Sequence, residues 1–476
     1  MAEPAAQQKH IHLIGICGTA MASLAGMLHG QGHRVTGSDA AAYPPMSDQL
    51  RDMGIEALQP YDELHLHPAP HLVVVGNAIS RGNPELEAVL DRRLPFTSMA
   101  SLIHDEFLRG REPLVVAGTH GKTTTTSMLA WIYEVASRTR PELQPSFLIG
   151  GVAENFGTSF AVRDTRPFLL EGDEYDTAFF DKGPKFLHYF PQAAILTHVE
   201  FDHADIYPDL AAVKTAFKRL VNLIPRGGRL VAYDGSDNVS ECVSKAFCPV
   251  ERYGFREGSH WRMIGFQPGP VSRWTLTRGG QHFADLELPL AGEHNALNAT
   301  AAAALAAGQG VDASSIKEAV RTFRSVKRRL QVRAEIDGIT IIDDFAHHPT
   351  AIRETLRALR GSYPGRRLIA VLEPRSNTLR RNVFERELIE SLRVADEVVL
   401  ADVYQGASIP EKERLEPQHV IAALNREGVP ARLLPNAEVI TAALSQALQR
   451  GDVVAILSNG GFGDIYTRLP AALQAR

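Results

Sequence analysis

The stretch LVVAGTHGKTT, residues 114–124, combines an apolar run, a glycine-containing turn and the start of a helical pattern. Leu114 to Ala117 predicts a buried strand, and the residues after Thr124 continue as a helix through Ala136. A turn of this kind between a strand and a helix is the context of a phosphate-binding loop. The loop residues are Gly118, Thr119, His120, Gly121, Lys122, Thr123 and Thr124. The stretch therefore predicts an α/β domain that binds the phosphates of a nucleotide.

Two side chains of this loop have predicted chemical roles. Lys122 would neutralise the outer phosphates, and the Thr123 hydroxyl would bind a Mg²⁺ ion between them. The usual first glycine of the pattern, five positions before Gly121, is replaced by Val116. The loop is therefore a variant, and an accidental match is the alternative interpretation.

The beginning of the chain predicts a second nucleotide site. An apolar strand over Ile11 to Ile16 leads into a helix from Gly18 to Gln31, and a second strand ends in an acid. Backbone N–H groups at such a helix start can bind a diphosphate. The candidate substrate-binding residues are Gly15, Gly18, Thr19, Ser38 and Asp39. The three-glycine spacing is incomplete, so NAD, FAD, a UDP-sugar or a purely structural turn all stay open.

Two acidic clusters follow further apolar runs. The first, after Phe168 to Leu170, contains Glu171, Asp173, Glu174 and Asp176, and the second, after Ala193 to Thr197, contains His198, Glu200, Asp202, His203 and Asp205. The carboxyl ends of parallel strands are where open α/β sheets bind ligands. Oxygen ligands and a histidine at these ends predict a Mg²⁺ site, and acidic loops that only face solvent are the alternative.

The strand, turn and helix pattern restarts twice, which predicts three domains. The 476 residues exceed what one hydrophobic core usually supports. A polar stretch at residues 109–113 and the basic cluster at residues 327–329 mark the boundaries. We predict domains over 1–109, 110–325 and 326–476. The predicted fold class is α/β, with an N-terminal Rossmann-like domain, a central P-loop ATPase domain and a C-terminal Rossmann-like domain.

Composition excludes several classes of partner. With 50 Lys plus Arg against 55 Asp plus Glu, the net charge of -5 argues against nucleic acid. Cys17, Cys242 and Cys248 form no CxxC pair, which predicts free thiols. Without a signal-peptide core or an apolar run of about 18 residues, we expect a cytoplasmic protein with no membrane partner. We expect a monomer or a weak homo-oligomer.

Taken together, the motifs resemble the Mur ligase family in residue type, order and spacing. They are Gly118–Thr124, Glu171–Glu174, Asp202–Asp205, His294–Asn298, Arg328–Leu330 and Asp343–Pro349. The resemblance runs from Ile11 to Gly463. It implies a UDP-sugar-binding first domain, ATP and Mg²⁺ as cofactors, and an ATP-dependent ligase that forms an amide bond on UDP-N-acetylmuramate.

Other segments resemble one branch of that family, which attaches the recycled murein tripeptide L-Ala-γ-D-Glu-meso-diaminopimelate in peptidoglycan recycling. They are Gly15–Thr19, Gly76–Pro84, Gly151–Gly157, Glu373–Thr378 and Ser458–Gly463. The branch that adds L-alanine to the same sugar nucleotide resembles this chain in its first domain, and it stays open as an alternative. Acceptor choice must then depend on the third domain, where Arg375 and Asn459 are candidate contacts.

The resemblance implies catalytic and metal-binding roles in the central domain. Lys122 contacts the ATP phosphates, Thr123 binds one Mg²⁺, and Glu171 with His203 serves a second Mg²⁺. ATP would convert the muramate carboxylate into an acyl phosphate, which the acceptor amine attacks. Most of the catalysis would then be positioning and electrostatic stabilisation.

The resemblance also implies roles near the third domain. Asn295 would hold adenine, and Arg329 and Asp344 would hold the ATP phosphate and ribose. Two further residues that match the family pattern are Asn298 and His348. Lys218 lies near a lysine that is carbamoylated in some members, and a surface lysine on a helix is the other interpretation.

Two functions from other classes compete with the ligase. A nicotinamide-dependent oxidoreductase built on the first domain would leave the phosphate loop without a role. A nucleotide-switched binding protein would not explain metal-type residues at two further strand ends. Agreement among several motifs favours the ligase over both.

Overall fold

The structure is a computed structural model that describes residues 8–42 and 46–476. It divides into two compact units. The first contains the described residues up to Val199 together with Ala211–Arg262 and Ala301–Ala319, and the second contains Glu200–Leu210, Met263–Thr300 and Val320–Arg476. Among the described residues, no helix is both long and apolar enough to cross a membrane.

Helices and strands alternate along most of the chain. The helices are α1 Thr19–Gly30, α2 Met46–Asp52, α3 Pro84–Asp91, α4 Met99–Ile103, α5 Lys122–Ser137, α6 Leu210–Leu223, α7 Asp237–Val243, α8 Glu293–Gly308, α9 Ala313–Arg321, α10 Pro349–Ser362, α11 Glu385–Leu392, α12 Pro417–Arg426, α13 Ala437–Ala447 and α14 Ile465–Gln474. The strands are β1 His10–Ile14, β2 Arg34–Ser38, β3 Ala57–Leu58, β4 Leu72–Val75, β5 Phe96–Ser98, β6 Glu112–Ala117, β7 Ser146–Ala153, β8 Thr158–Ala161, β9 Pro167–Gly172, β10 Asp176–Ala178, β11 Asp181–Pro184, β12 Ala193–Leu196, β13 Arg229–Tyr233, β14 Val250–Gly254, β15 Trp261–Gln267, β16 Ser272–Arg278, β17 Gln281–Leu288, β18 Gln331–Ile336, β19 Ile339–Asp344, β20 Leu368–Leu372, β21 Glu397–Ala401, β22 Ala431–Leu434 and β23 Val453–Leu457.

The first sheet of the first unit has five parallel strands in the order β3-β2-β1-β4-β5. Ile11, Leu13 and Ile14 of β1 are fully buried, as a central parallel strand requires. The chain turns from β1 into α1, and β2 ends beside that turn. Gly15 and Asp39 therefore lie at the same edge of the sheet.

The second sheet of the first unit carries the phosphate loop. Those of its strands that lie wholly or partly in the first unit follow the order β15-β14-β13-β12-β6-β9-β7-β8. β6 lies between β12 and β9 and runs parallel to both, with Val116 opposite Glu171 and Ala117 opposite Leu196. The loop that follows β6 is consequently flanked by the carboxyl ends of β9 and β12.

The second unit contains the sheet β18-β19-β23-β20-β21-β22 and the antiparallel hairpin β16–β17. All neighbours in that sheet are parallel except β18 and β19. Apolar side chains cover both faces, among them Leu356 and Leu388 on one side and Ile440 and Leu469 on the other. A sheet covered in this way is typical of doubly wound α/β domains.

The elements predicted from the sequence agree with the structure in type, and some of their ends differ. The predicted helix Ser101 to Leu108 begins earlier, at Met99, because the side chain of Ser98 accepts a hydrogen bond from the Ser101 N–H and caps the helix. It then continues as a π-helical turn over His104–Leu108. The three cysteines are buried and free, as their spacing predicted.

Candidate active site

The phosphate loop adopts a backbone that only glycine tolerates well. Gly118 has φ 133°, and a Cβ built there would lie 2.1 Å from Thr197 Oγ1. Gly121 has φ 80° and immediately precedes α5. Thr197 donates a hydrogen bond of 2.6 Å to the His120 carbonyl, and the Thr119 N–H donates to the His198 carbonyl. The loop is therefore held against the segment that follows β12, and it leads directly into the start of a helix, where backbone N–H groups can bind an anion.

The Lys122 ammonium is held by the phosphate loop and by Glu174, which follows β9. It donates to the Gly118 carbonyl at 2.8 Å and contacts both carboxylate oxygens of Glu174, at 2.9 and 2.8 Å. Burial opposes a charge on Lys122, but Glu174 and Asp173 outweigh it and raise the pKa of the ammonium above its ordinary value. Lys122 is therefore a permanently positive group at the mouth of the loop.

Thr123 and Glu171 also lie together beside the loop. The Thr123 hydroxyl is 3.2 Å from Glu171 Oε2, and the Gly150 N–H donates to Glu171 Oε1 at 2.5 Å. A Cβ at Gly150 would lie 2.9 Å from Glu171 Oε2, so this close approach depends on glycine. The pair offers hydroxyl and carboxylate oxygens, the donor types that Mg²⁺ prefers.

The first glycine turn, residues 15–18 between β1 and α1, is stabilised by the end of β2. The Ser38 carbonyl accepts from the N–H groups of Gly15 and Ile16, at 2.8 and 3.0 Å. Asp39 Oδ2 accepts from the Cys17 N–H at 2.9 Å. Gly18 precedes α1, which begins at Thr19, one of the candidate substrate-binding residues. The Ser38 side chain is fully buried, and its hydroxyl donates to Glu85.

His203 lies in the second unit, on the segment Glu200–Leu210. Its φ is 55°, and its N–H donates to Asp202 Oδ1 at 2.7 Å. The Thr378 hydroxyl contacts the same oxygen at 2.8 Å and accepts from the Ala204 N–H at 3.2 Å. The backbone on both sides of His203 is thereby anchored.

The residues predicted to hold ATP in the second unit are largely buried. Asn295, in the first turn of α8, donates its side-chain amide to the Ala291 carbonyl at 2.8 Å. The Arg329 guanidinium lies 5.1 Å from the centre of the Phe345 ring. The Asp344 carboxylate accepts from the N–H groups of Leu330 and Ala346 and from the Thr355 hydroxyl. Asn298 is also buried.

The two candidate acceptor contacts differ in their surroundings. The Arg375 guanidinium lies 3.8 Å from the centre of the Tyr404 ring and 3.6 Å from Glu373. A Cβ at Gly460 would lie 2.0 Å from Arg375 Nε, so glycine leaves the space that the guanidinium occupies. Asn459 Oδ1 is buried and makes no hydrogen bond within the described part of the chain. Both side chains offer polar groups that can form hydrogen bonds with a polar acceptor substrate.

Two residues with open roles have identifiable partners. Lys218 lies on α6 and forms a 2.7 Å ion pair with Glu241. His348 caps α10, where its ring accepts from the Thr350 N–H at 3.3 Å. Its other ring nitrogen lies 3.1 Å from the Phe201 carbonyl. The pairing of Lys218 agrees with the interpretation as a surface lysine.

Comparison with known proteins assigns the family. Residues 10–109 match the model described as Mur ligase family, catalytic domain, residues 116–306 the Mur ligase middle domain, and residues 328–460 the Mur ligase, glutamate ligase domain. The UDP-N-acetylmuramate–L-alanyl-gamma-D-glutamyl-meso-2,6-diaminoheptandioate ligase of Escherichia coli (strain K12) is 42% identical over 464 residues, which cover 96% of this chain and 97% of that protein. The chain belongs to the Mur ligase family.

Two further relatives are similar to this Mur ligase over nearly its whole length. A murein peptide ligase from Psychrobacter arcticus 273-4, known from its crystal structure, is 36% identical with a TM-score of 0.74, and 98% of each chain is covered. The UDP-N-acetylmuramate–L-alanine ligase of Kineococcus radiotolerans is 34% identical over 474 residues, 98% of this chain and 95% of that protein. The predicted three-domain α/β fold and the predicted class, an ATP-dependent amide ligase, are confirmed by this membership.

Two residues that contact candidate residues of this Mur ligase were not singled out from the sequence. Glu174 was noted only as a member of an acidic cluster, whereas it contacts Lys122 directly. Tyr404, which lies beside Arg375, carried no motif at all. The signal for Glu174 was its position after a buried strand, and the signal for Tyr404 was its position after β21 at the carboxyl edge of a parallel sheet.

Proposed function

We propose that this Mur ligase joins UDP-N-acetylmuramate to the tripeptide L-Ala-γ-D-Glu-meso-diaminopimelate, with cleavage of ATP, in cytoplasmic peptidoglycan recycling. The observation that carries the proposal is the 42% identity, over 464 residues, with a ligase named for this reaction. The L-alanine ligase is 34% identical over a similar length. That difference favours the tripeptide over L-alanine as the acceptor.

A carboxylate reacts poorly with an amine, and ATP overcomes this by activating the carboxylate. A muramate carboxylate oxygen attacks the γ-phosphorus of ATP, the bond to the ADP oxygen breaks, and an acyl phosphate forms. The neutral α-amine of the tripeptide then attacks the acyl carbon, inorganic phosphate leaves, and the amine loses a proton. The charge of Lys122 offsets the charge that develops on the transferring phosphoryl group.

Three residues are our candidates for holding Mg²⁺. Thr123, at the start of α5, and Glu171, on β9, supply oxygen donors 3.2 Å apart, which fits a hard cation. His203 is assigned to the second ion by its position in the family motif. Mg²⁺ would offset the negative charge of the phosphate and carboxylate oxygens.

The second unit supplies the remaining proposed contacts. We assign adenine to Asn295, the ATP phosphate to Arg329 and the ribose to Asp344. Arg375 and Asn459 are assigned to the acceptor, whose carboxylates a guanidinium binds well. In this assignment residues 1–109 bind the UDP-sugar, 110–325 bind ATP and 326–476 bind the acceptor.

The test is ADP release in the presence of ATP, Mg²⁺ and UDP-N-acetylmuramate, with either the tripeptide or L-alanine added. We expect stimulation by the tripeptide and a product whose mass equals the two substrates less one water. A Lys122→Met variant serves as the control for background hydrolysis. Stimulation by L-alanine alone would reassign the acceptor, and stimulation by neither would refute the proposal.

A further inference from the structure

A buried polar cluster lies beneath the first glycine turn, centred on the carboxylate of Glu85 in the first turn of α3. Glu85 is fully buried. Its Oε2 accepts from the Ser38 hydroxyl at 2.5 Å and lies 3.2 Å from His12 Nε2. Its Oε1 lies 2.7 Å from His65 Nδ1 and accepts from the Asp62 N–H at 3.2 Å. A buried carboxylate is stable only with such a set of donors.

The hydrogen bonds of His10, Thr36 and His12 can all run in one direction, toward Glu85. Thr36 Oγ1 lies between His10 Nε2, at 2.9 Å, and His12 Nδ1, at 2.8 Å. If His10 donates to Thr36, then Thr36 donates to His12, and His12 donates from Nε2 to Glu85. Burial first, and then the charge of Arg34, lower the pKa of His10 to about 4, which keeps that ring neutral.

Glu85 carries a negative charge in this cluster. Burial alone would raise the pKa of this carboxyl, but hydrogen bonds from His12, Ser38 and His65 together lower it below its ordinary value. An ionised, fully buried acid that accepts several hydrogen bonds is a rigid anchor. Moving the Ser38 hydroxyl away from Glu85 would leave part of that charge without its donor.

Ser38 connects this anchor to the turn. Its hydroxyl contacts Glu85, while its carbonyl accepts from the N–H groups of Gly15 and Ile16 at 2.8 and 3.0 Å. The next residue, Asp39, accepts from the Cys17 N–H at 2.9 Å. The successive N–H groups of the turn are thus placed by the end of β2, and the end of β2 is placed by Glu85.

We propose that Glu85 is a positioning residue for the sugar nucleotide, acting through Ser38 on the turn that binds the diphosphate. This rests on the proposed function, which assigns the first domain to UDP-N-acetylmuramate. Glu85 is too deeply buried to touch a ligand. It sets the position of the backbone N–H groups at the start of α1, where displacements well below the length of a hydrogen bond weaken binding.

The test measures the dissociation constant of UDP-N-acetylmuramate by calorimetry for the unmodified protein, three single variants and the double variant Glu85→Gln/Ser38→Ala. Glu85→Gln removes the charge, and Ser38→Ala removes the link between the carboxylate and the turn. Ser98→Ala is the matched control, because Ser98 is also a fully buried serine at the carboxyl end of a strand in the same sheet. ATP affinity is measured in parallel.

We expect Glu85→Gln and Ser38→Ala each to weaken UDP-N-acetylmuramate binding about tenfold, which corresponds to about 1.4 kcal/mol. The double variant should be little weaker than either single variant, because both interrupt the same connection. ATP affinity should stay within twofold in both variants, and Ser98→Ala should bind UDP-N-acetylmuramate normally.

Several results would overturn the assignment. Folded Ser38→Ala protein with unchanged affinity would do so even if Glu85→Gln did not fold. Equal weakening in Ser98→Ala would show a general loss of stability instead of positioning. Failure of the unmodified protein to bind UDP-N-acetylmuramate would refute the proposed function, and with it this assignment.

Discussion

Replacing Lys122 by methionine should lower both folding stability, through the lost contact with Glu174, and the rate of phosphoryl transfer, through the lost charge. Methionine keeps a linear side chain of similar length and removes the ammonium that now lies 2.8 Å from Glu174 Oε2. The side chains of Lys122 and Glu174 are 16% and 1% exposed, so the carboxylate would stay buried without that ammonium. Both folding stability and phosphoryl transfer should suffer, each for its own reason.

The size of the stability loss follows from burial. Removing one partner of a buried ion pair costs about 3–5 kcal/mol, and the partial exposure of Lys122 places the expected loss near about 3 kcal/mol. The loss should be smallest at acid pH and grow as pH rises past about 4.3, where a glutamate of the unfolded chain ionises. A buried carboxyl that has lost the nearby ammonium takes up a proton more readily in the folded state.

The assay is denaturant unfolding of Lys122→Met, Glu174→Gln and the double variant, with ligase activity measured alongside. The double variant should recover about 2 kcal/mol of the loss, because it no longer buries that charge. It should not recover activity, since kcat should fall on the order of 10²–10³-fold without the ammonium. A double variant that regains activity, or one no more stable than Lys122→Met, would refute the reasoning.

Three further predictions concern single side chains. Gly118→Ala should cost at least about 1–3 kcal/mol in denaturant unfolding, because φ is 133° and the new Cβ would lie 2.1 Å from Thr197 Oγ1; unchanged stability would contradict the loop geometry. Gly460→Ala should raise the KM of the tripeptide in initial-rate assays and leave the KM of ATP unchanged, because its Cβ would lie 2.0 Å from Arg375 Nε. The free energy of unfolding should fall as pH decreases from 6.5 toward 4, because the unfolded chain binds a proton at His10 that the folded chain, with a pKa of about 4, does not. A His10→Gln variant should show a smaller fall, and an identical pH profile would argue against this source.

Local patterns predicted the parts of the fold that depend on neighbours in sequence. The apolar run before Gly118 and the helical pattern after it are contained in residues 114–136, so strand, loop and helix were all recognisable. The contact between Lys122 and Glu174 joins residues 52 positions apart. It exists because β6 and β9 are neighbours in the sheet, and strand order is not encoded in either segment alone.

Ser38 also makes a contact that could not be predicted from the residues near it in the sequence. Its position beside Asp39 predicts a substrate contact, but it did not reveal that the Ser38 hydroxyl donates to Glu85, 47 positions away. Only the packing of α3 against the sheet decides this direction. The hairpin β16–β17 was absent from the predicted elements, although the alternation of Ser272, Trp274 and Leu276 as buried residues is a period-two signal.

The central claim is that ATP activates the muramate carboxylate. The most direct test follows ¹⁸O from that carboxylate into the released phosphate. UDP-N-acetylmuramate labelled with ¹⁸O in both carboxylate oxygens would be turned over with ATP and the tripeptide, and the released phosphate analysed by mass. We predict one ¹⁸O atom in each phosphate and the other in the amide carbonyl. Amide product accompanied by unlabelled phosphate would contradict the acyl phosphate and, with it, the proposed role of the phosphate loop.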